Sequence, residues 1–303
     1  MILITGGTGT LGTEIVRRLR TRGGPVRVLA RDTARATHLP GDVEVVHGDI
    51  RDPDAVARAC HGVHTVVAAT HGFTGGRGAN PRSIDWLGNR NLFVAAQAAG
   101  VRHCVLMSVV GAARGHPMEL FDMKARAEEE LRGSSLGWTI VRASAFMETW
   151  LALIGEPLRS TGRTRVFGRA RNPINFVSAR DVAGVVVDAV VGPQHRRTVI
   201  EVGGPEDLSL LDIAERFKAA TGAGGKVSRI PRPAMRMMSV LMRPFNPVLA
   251  LHAASGVVMD TRSMTFDALA SKTALTRRGE TRISEVIRRL YVEVPVAAAH
   301  QTA

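Results

Sequence analysis

Three glycines, Gly6, Gly9 and Gly12, are the first residues whose spacing could do chemistry. They lie in Thr5-Gly6-Gly7-Thr8-Gly9-Thr10-Leu11-Gly12, a turn whose backbone N–H groups can face a phosphate at the positive end of a helix. In this pattern the first glycine permits a tight turn and the second lets the backbone approach a pyrophosphate. The third lets a helix lie against a strand. Further along, His71 stands in the glycine-rich run Thr70-His71-Gly72-Phe73-Thr74-Gly75-Gly76, and imidazole has a pKa suited to acid–base work. Ser108 closes an apolar run and could hydrogen-bond a substrate oxygen, while His116 and Asp122 stand close to Lys124 in sequence. The pair His61-x-x-His64 lacks the further ligands of a metal site, so none is expected.

These residues need elements to position them. Residues 1–5 are an apolar run of strand length, and 13–22 carry Ile15, Val16 and Leu19 at helical spacing. Further strands are expected over 26–30, 43–47, 63–69, 102–108 and 138–142, with helices over 53–60, 83–99 and 118–132. Such alternation predicts an α/β fold, a Rossmann-type doubly wound parallel sheet whose ligands sit beyond the carboxyl ends of the strands. The loops after strands one, two, four and five should therefore line one crevice. Past residue 143 the rhythm loosens: strands over 175–177, 198–202 and 227–230, helices over 179–191 and 209–221. Residues 233–251 alternate Met, Leu and Val with Arg236 and Arg243, and read as a pair of core-covering helices rather than a membrane-surface helix. The expected division is a dinucleotide-binding domain over 1–150, a small, partly interleaved C-terminal α/β substrate lobe over 151–295, and a frayed tail over 296–303.

Composition narrows the class of function. The chain has 303 residues, 45% apolar and 4% aromatic, the make-up of a globular α/β protein. A formal net charge of +13 raises the question of nucleic acid. The arginines are spread over most helices, however, and aromatic stacking platforms are nearly absent, so no nucleic-acid partner is expected. Cys60 and Cys104 border apolar runs and read as small core residues in a reducing compartment. Strand-like residues from Ile2 onward argue against a signal peptide, and every long apolar stretch is broken by Arg, Pro or Gly, so no membrane span is expected. The reading is of a cytoplasmic protein, monomer or homodimer, acting on a small molecule.

The turn over 5–12 resembles the glycine motif of the extended and atypical short-chain dehydrogenase/reductases. Gly88-Asn89-Arg90-Asn91-Leu92 through Ala98-Ala99-Gly100-Val101, then Val105-Leu106-Met107-Ser108, resemble the fourth helix and fifth strand of the NmrA-like branch. Residues 209–222 followed by Pro231 resemble that branch's C-terminal lobe, and the resemblance covers about residues 1–250.

The resemblance implies a dinucleotide site that includes Gly6, Thr8, Gly9, Thr10, Leu11 and Gly12. It puts Asp49 and Ile50 at the adenine, and Ala68, Ala69 and Thr70 at the nicotinamide-side ribose. Asp49 reads equally well as a helix cap. Arg31 takes the place where NADP-preferring members carry a basic residue. Independently, a guanidinium there suits a 2′-phosphate where a carboxylate would suit a 2′-hydroxyl, so NADP(H) is expected over NAD(H). One departure is plain. The family's Tyr-x-x-x-Lys keeps its lysine as Lys124, the only lysine before Lys218, but Leu120 stands in the tyrosine's place and the sole tyrosine is Tyr291. Lys124 is expected to bind the nicotinamide ribose and to stabilise negative charge developing on a carbonyl oxygen. Ser108 and His71 are the candidate proton donors. The expected function is NADPH-dependent reduction of a small apolar acceptor (an enone, quinone or carbonyl compound) lying under Phe146, Met147 and Trp150 and the Met-rich C-terminal helices. A non-catalytic NADP(H) sensor and a redox-neutral isomerase or cyclase are the alternatives.

Overall fold

The structure is a computed structural model that describes residues 1–73 and 78–293. The loop positions Thr74, Gly75 and Gly76 and the tail over 296–303 lie outside the described residues. The chain forms two compact units, each discontinuous in sequence. The first comprises Met1–Ala143, Ala179–Val202 and Ala270–Arg277, and the second Ser144–Ser178, Gly203–Leu269 and the residues from Arg278 onward.

In chain order, the elements begin with β1 (Ile2–Thr5), α1 (Thr10–Thr21), β2 (Val26–Ala30) and β3 (Glu44–His47). Then come α2 (Pro53–Cys60), β4 (Thr65–Ala68), a π-helical segment (Arg82–Gly88) running into α3 (Asn89–Ala98), β5 (His103–Val109), α4 (Glu119–Gly133) and β6 (Gly137–Ala143). The second unit starts with β7 (Ala145–Phe146), α5 (Met147–Thr161), β8 (Arg163–Phe167) and β9 (Ile174–Val177). The chain returns to the first unit for α6 (Ala179–Val191) and β10 (Thr198–Gly203). The second unit resumes with β11 (Glu206–Leu208), α7 (Leu210–Thr221), β12 (Lys226–Ile230), α8 (Arg232–Leu241), α9 (Pro247–Thr261) and α10 (Phe266–Leu269). β13 (Leu275–Arg278) and α11 (Ile283–Ile287) follow.

The first unit is built on a sheet in the order β13-β10-β6-β5-β4-β1-β2-β3, in which the run from β10 to β3 is parallel throughout. This is the Rossmann-type α/β fold. β1 lies between β2 and β4, with Ile4 opposite Val28 on one side and Val67 on the other. Strand order reverses there, so the loops after β1 and β4 meet at the switch point. Central strands buried on both faces read as continuous apolar runs, and all four residues of β1 and of β4 are buried. α1 packs through Ile15, Val16 and Leu19, and α2 is started by Pro53 and capped by the Asp52 carboxylate, which accepts from Asp54 N at 3.0 Å.

The second unit holds a three-stranded sheet, β11-β9-β7, and a parallel pair, β12-β8. Here one expectation is corrected. Residues 233–251 do fall on two helices, α8 ending at Leu241 and α9 running from Pro247 to Thr261, but only α9 covers core, since α8 buries only Met235. Pro247 opens the second helix at its first position, where its missing N–H costs nothing. Apolar periodicity correctly marked helix here, but Met237, Val240 and Leu241 are exposed.

Candidate functional site

The first corner of the site is the N-terminus of α1. Gly6 has φ +79°, and a Cβ there would lie 2.7 Å from the backbone of Ala69. A Cβ at Gly12 would lie 2.1 Å from Gly6 O, and one at Gly7 2.8 Å from the Val28 side chain. A side chain at any of these three would collide with the protein itself. Gly9 is different: its Cβ would meet nothing closer than Gly6 O at 3.4 Å, and its φ of −86° suits any residue. Nothing in the fold of the turn calls for a glycine at this position. Among the described residues no side chain caps α1, and its first turn carries no acidic residue, an arrangement that suits an anion. Thr8, Thr10 and Leu11 complete the turn, with Gly9 and Thr10 exposed.

The second corner follows β2 and β3. Arg31 is exposed and makes no hydrogen bond or ion pair among the described residues. Its neighbour Asp32 is turned away to cap a short 3-10 helix, accepting from Ala34 N at 3.1 Å. Asp49 does not cap α2. Arg51 grips its carboxylate, with Nε to Oδ1 at 3.0 Å and Nη2 to Oδ2 at 2.7 Å. That bonding holds the Asp49 pKa below its ordinary value, with Arg31 near enough to assist. Ile50, beside it, is buried.

The third corner gathers the loop after β4, the π-helical segment and α4. Lys124 is 4% exposed and Asp85 0%, and Lys124 Nζ lies 2.8 Å from Asp85 Oδ1. The ammonium also donates to Met107 O at 2.8 Å and, more weakly, to Thr70 O at 3.4 Å. The ammonium is thus paired with a buried carboxylate, and its contact with Thr70 O is the longest of the three. The other Asp85 oxygen accepts from Gly72 N at 2.8 Å, so one carboxylate ties together the lysine and the backbone beside His71. Asp85 escaped the sequence reading. Its signal is that it is the only acidic residue between Arg82 and Gly100, set among Ile84, Trp86 and Leu87. The π-helical backbone that carries it is a feature often found at functional sites.

His71 reaches solvent but has protein close around it. That desolvation lowers its pKa, while Asp85 pulls the other way and Lys124 lowers it further. Its ring makes no hydrogen bond among the described residues. Ala68 is buried, Ala69 touches the Gly6 turn, and Thr70 Oγ1 is a buried hydroxyl without a partner among the described residues. Glu119, on the first turn of α4, was also missed. Burial raises its carboxyl pKa; Arg82 opposes this, while Asp122 and Asp85 add to it.

Other candidates are spent elsewhere. Ser108 is buried and donates to Glu128 Oε1 at 2.6 Å. Glu128 is in turn held by Arg142 at 2.7 Å and Arg132 at 2.9 Å, and Arg142 bridges to Glu201 at 3.0 Å. This corrects the expectation that Ser108 offers its hydroxyl to a substrate: a buried carboxylate must be satisfied, and the serine does part of that. Asp122 accepts from Gly115 N at 2.9 Å, and His116 stacks on Phe121. Tyr291 packs edge-on against Phe217 in the second unit, and burial pushes its phenol up to about 12. Phe146 is half-buried, whereas Met147 and Trp150 are core residues of the second unit, Trp150 edge-on to Phe176. Cys60 and Cys104 are buried and unpaired, and burial raises both thiol pKa values. Among the described residues no group of three or more His, Cys, Asp or Glu could hold a metal ion.

The first unit brings together a glycine turn at a helix N-terminus, an arginine beyond β2 and an imidazole near a buried lysine–carboxylate pair; neither Arg31 nor His71 has a side-chain partner among the described residues. That geometry fits a dinucleotide. A family model described as NAD(P)H-binding matches residues 6–193. The NAD(P)H azoreductase of Xenophilus azovorans is 32% identical over 225 residues, covering 73% of this chain and 74% of that protein. The (4-alkanoyl-5-oxo-2,5-dihydrofuran-3-yl)methyl phosphate reductase of Streptomyces griseus is 33% identical over 252 residues, covering 82% and 83%. The crystal structure of an NADPH-dependent quinone oxidoreductase from Escherichia coli, complexed with NADPH, aligns with a TM-score of 0.71. It covers 96% of this chain and 100% of that one at 21% identity, and so shares the fold.

Proposed function

Because the chain belongs to the NAD(P)H-binding family, within the atypical short-chain dehydrogenase/reductases, we propose that it is an NADPH-dependent reductase of a small, largely apolar acceptor such as an enone, a quinone or a carbonyl compound. The observation that carries this reading is His71, whose ring makes no hydrogen bond among the described residues and feels the charges of the buried Lys124–Asp85 pair. Two curated relatives whose names are those of reductases support it.

The residues fit the dinucleotide. The α1 turn at Gly9 would hold the pyrophosphate, Arg31 the 2′-phosphate, and Ala68, Ala69 and Thr70 the nicotinamide-side ribose, Thr70 through its unpartnered hydroxyl. NADPH, when bound, supplies a hydride. The chain's own part is to place a proton and a positive field near the acceptor oxygen. Lys124, paired with Asp85, would supply that field locally as an N–H donor in a fixed position, since Asp85 and Met107 O hold it. His71 holds the proton at its ring.

Arg31→Ala should weaken NADPH binding by on the order of 10-fold or more, the worth of a charge-assisted contact, and leave NADH binding unchanged. Calorimetric titration of both dinucleotides checks this, and equal losses for the two would remove Arg31 from the site.

The reductase reading is tested by following NADPH absorbance with a panel of quinones, enones and aldehydes, with wild type and His71→Ala side by side. Loss of a general acid lowers turnover by roughly 10²-fold or more. An acid must be protonated to act, so the rate should fall as pH rises through the His71 pKa, which lies below its ordinary 6.5. Asp85→Asn removes the charge that raises this pKa, so the falling limb should move to lower pH. A limb that stays put under that substitution would exclude His71 as the donor. A wild type that binds NADPH and turns over no acceptor would favour the sensor reading, which Leu120 in the tyrosine's place already recommends.

A further inference from the structure

We propose that the outward face of the α8–α9 hairpin docks the protein on an anionic phospholipid surface, an inference independent of the reductase reading. α8 packs inward through Met235, its one fully buried residue, and turns Met237, Val240 and Leu241 to solvent. These three fall at i, i+3 and i+4, on one helical face. At the apex of the hairpin Phe245 is 81% exposed, and Leu249, on the first turn of α9, is exposed too.

The turn that presents Phe245 is held in place. Phe245 N and Asn246 N both donate to Met242 O, at 3.1 and 2.7 Å, and Asn246 Oδ1 accepts from Leu249 N at 2.9 Å. Pro244 and Pro247 flank it. A large aromatic side chain is thus fixed outward at the tip.

Charge identifies the occupant. From Arg216 to Met259 the chain has no aspartate or glutamate, and it carries Arg216, Lys218, Lys226, Arg229, Arg232, Arg236 and Arg243. Arg236 and Arg243 are exposed and border the apolar face; Lys226 and Arg229 are exposed as well. Lys226, Arg229 and Arg236 make no side-chain hydrogen bond or ion pair among the described residues, and Arg243 donates only to Ser239 O. An apolar tip bordered by cations suits a leaflet that offers acyl chains behind negative headgroups. A second copy of this chain would instead bring two basic faces together. No helix among the described residues is long and apolar enough to cross a membrane, so the contact would be peripheral.

The test is flotation of the full chain with phosphatidylglycerol–phosphatidylcholine vesicles and with phosphatidylcholine alone. Binding to the mixed vesicles should be strong, salt-sensitive and much weaker without phosphatidylglycerol. Phe245→Ser with Leu241→Ser should lower it at least tenfold, since both apolar contacts are lost. Arg236→Gln with Arg243→Gln should lower it by about fivefold per arginine. Arg17→Gln with Arg58→Gln, which removes equal charge from exposed positions of the first unit, should change it little. All these side chains are exposed, so circular dichroism and thermal midpoints should match wild type. Failure of the wild type to float, or equal losses from the α8 and the first-unit arginine pairs, would overturn the proposal. So would sedimentation velocity showing a dimer that Phe245→Ser dissolves, because a second copy would then cover the face.

Discussion

Asp85→Ala is expected to destabilise the protein by about 3–5 kcal/mol in urea unfolding, far more than an ordinary polar-to-alanine change. The substitution leaves the Lys124 ammonium, 4% exposed, without its counter-charge and leaves Gly72 N–H without its acceptor. The mechanism is specific enough to be checked by a second variant. Asp85→Leu combined with Lys124→Met removes both charges, and buried ion pairs replaced by apolar residues of similar size are often neutral for stability. The double variant should therefore recover most of what Asp85→Ala loses while remaining poor in turnover. If Asp85→Ala is as stable as wild type, the pair is not the buried clamp described above, and the account of how Lys124 is positioned fails with it.

Gly9→Val is expected to weaken dinucleotide binding by roughly 10²-fold or more, the loss of about two charge-assisted contacts to the pyrophosphate. Its cost to the fold should be about 1 kcal/mol or less, because Gly9 sits in extended backbone and a Cβ there meets only Gly6 O at 3.4 Å. Gly12→Ala should do the reverse in its first effect. Its Cβ would lie 2.1 Å from Gly6 O, so the fold itself should lose on the order of 1–3 kcal/mol. Measured together, thermal midpoint and NADPH titration separate the glycine kept for the ligand from the glycine kept for the chain. A Gly9→Val protein that binds NADPH like wild type would remove the α1 turn from the site.

The amino-acid sequence alone determined the parts of this protein that rest on local backbone requirements. A buried strand, spaced glycines and an amphipathic helix specify the α1 turn, because tight turning at Gly6 and close approach at Gly12 leave few other residues possible there. Alternating apolar runs and helical periods likewise pointed to a parallel, doubly wound sheet, and the position of Arg31 just past β2 follows from where that strand must end. The tertiary structure decided what depends on partners brought from elsewhere in the chain. Lys124 was visible, but Asp85, which neutralises it, comes from another helix, and no spacing rule links the two. Ser108 was placed correctly at the end of β5, yet its hydroxyl is claimed by Glu128 on α4. Over 233–251 the period showed that α8 has an apolar face but not that the face is uncovered. A period reports which side chains share a side; whether that side meets protein or solvent is set by everything packed around it.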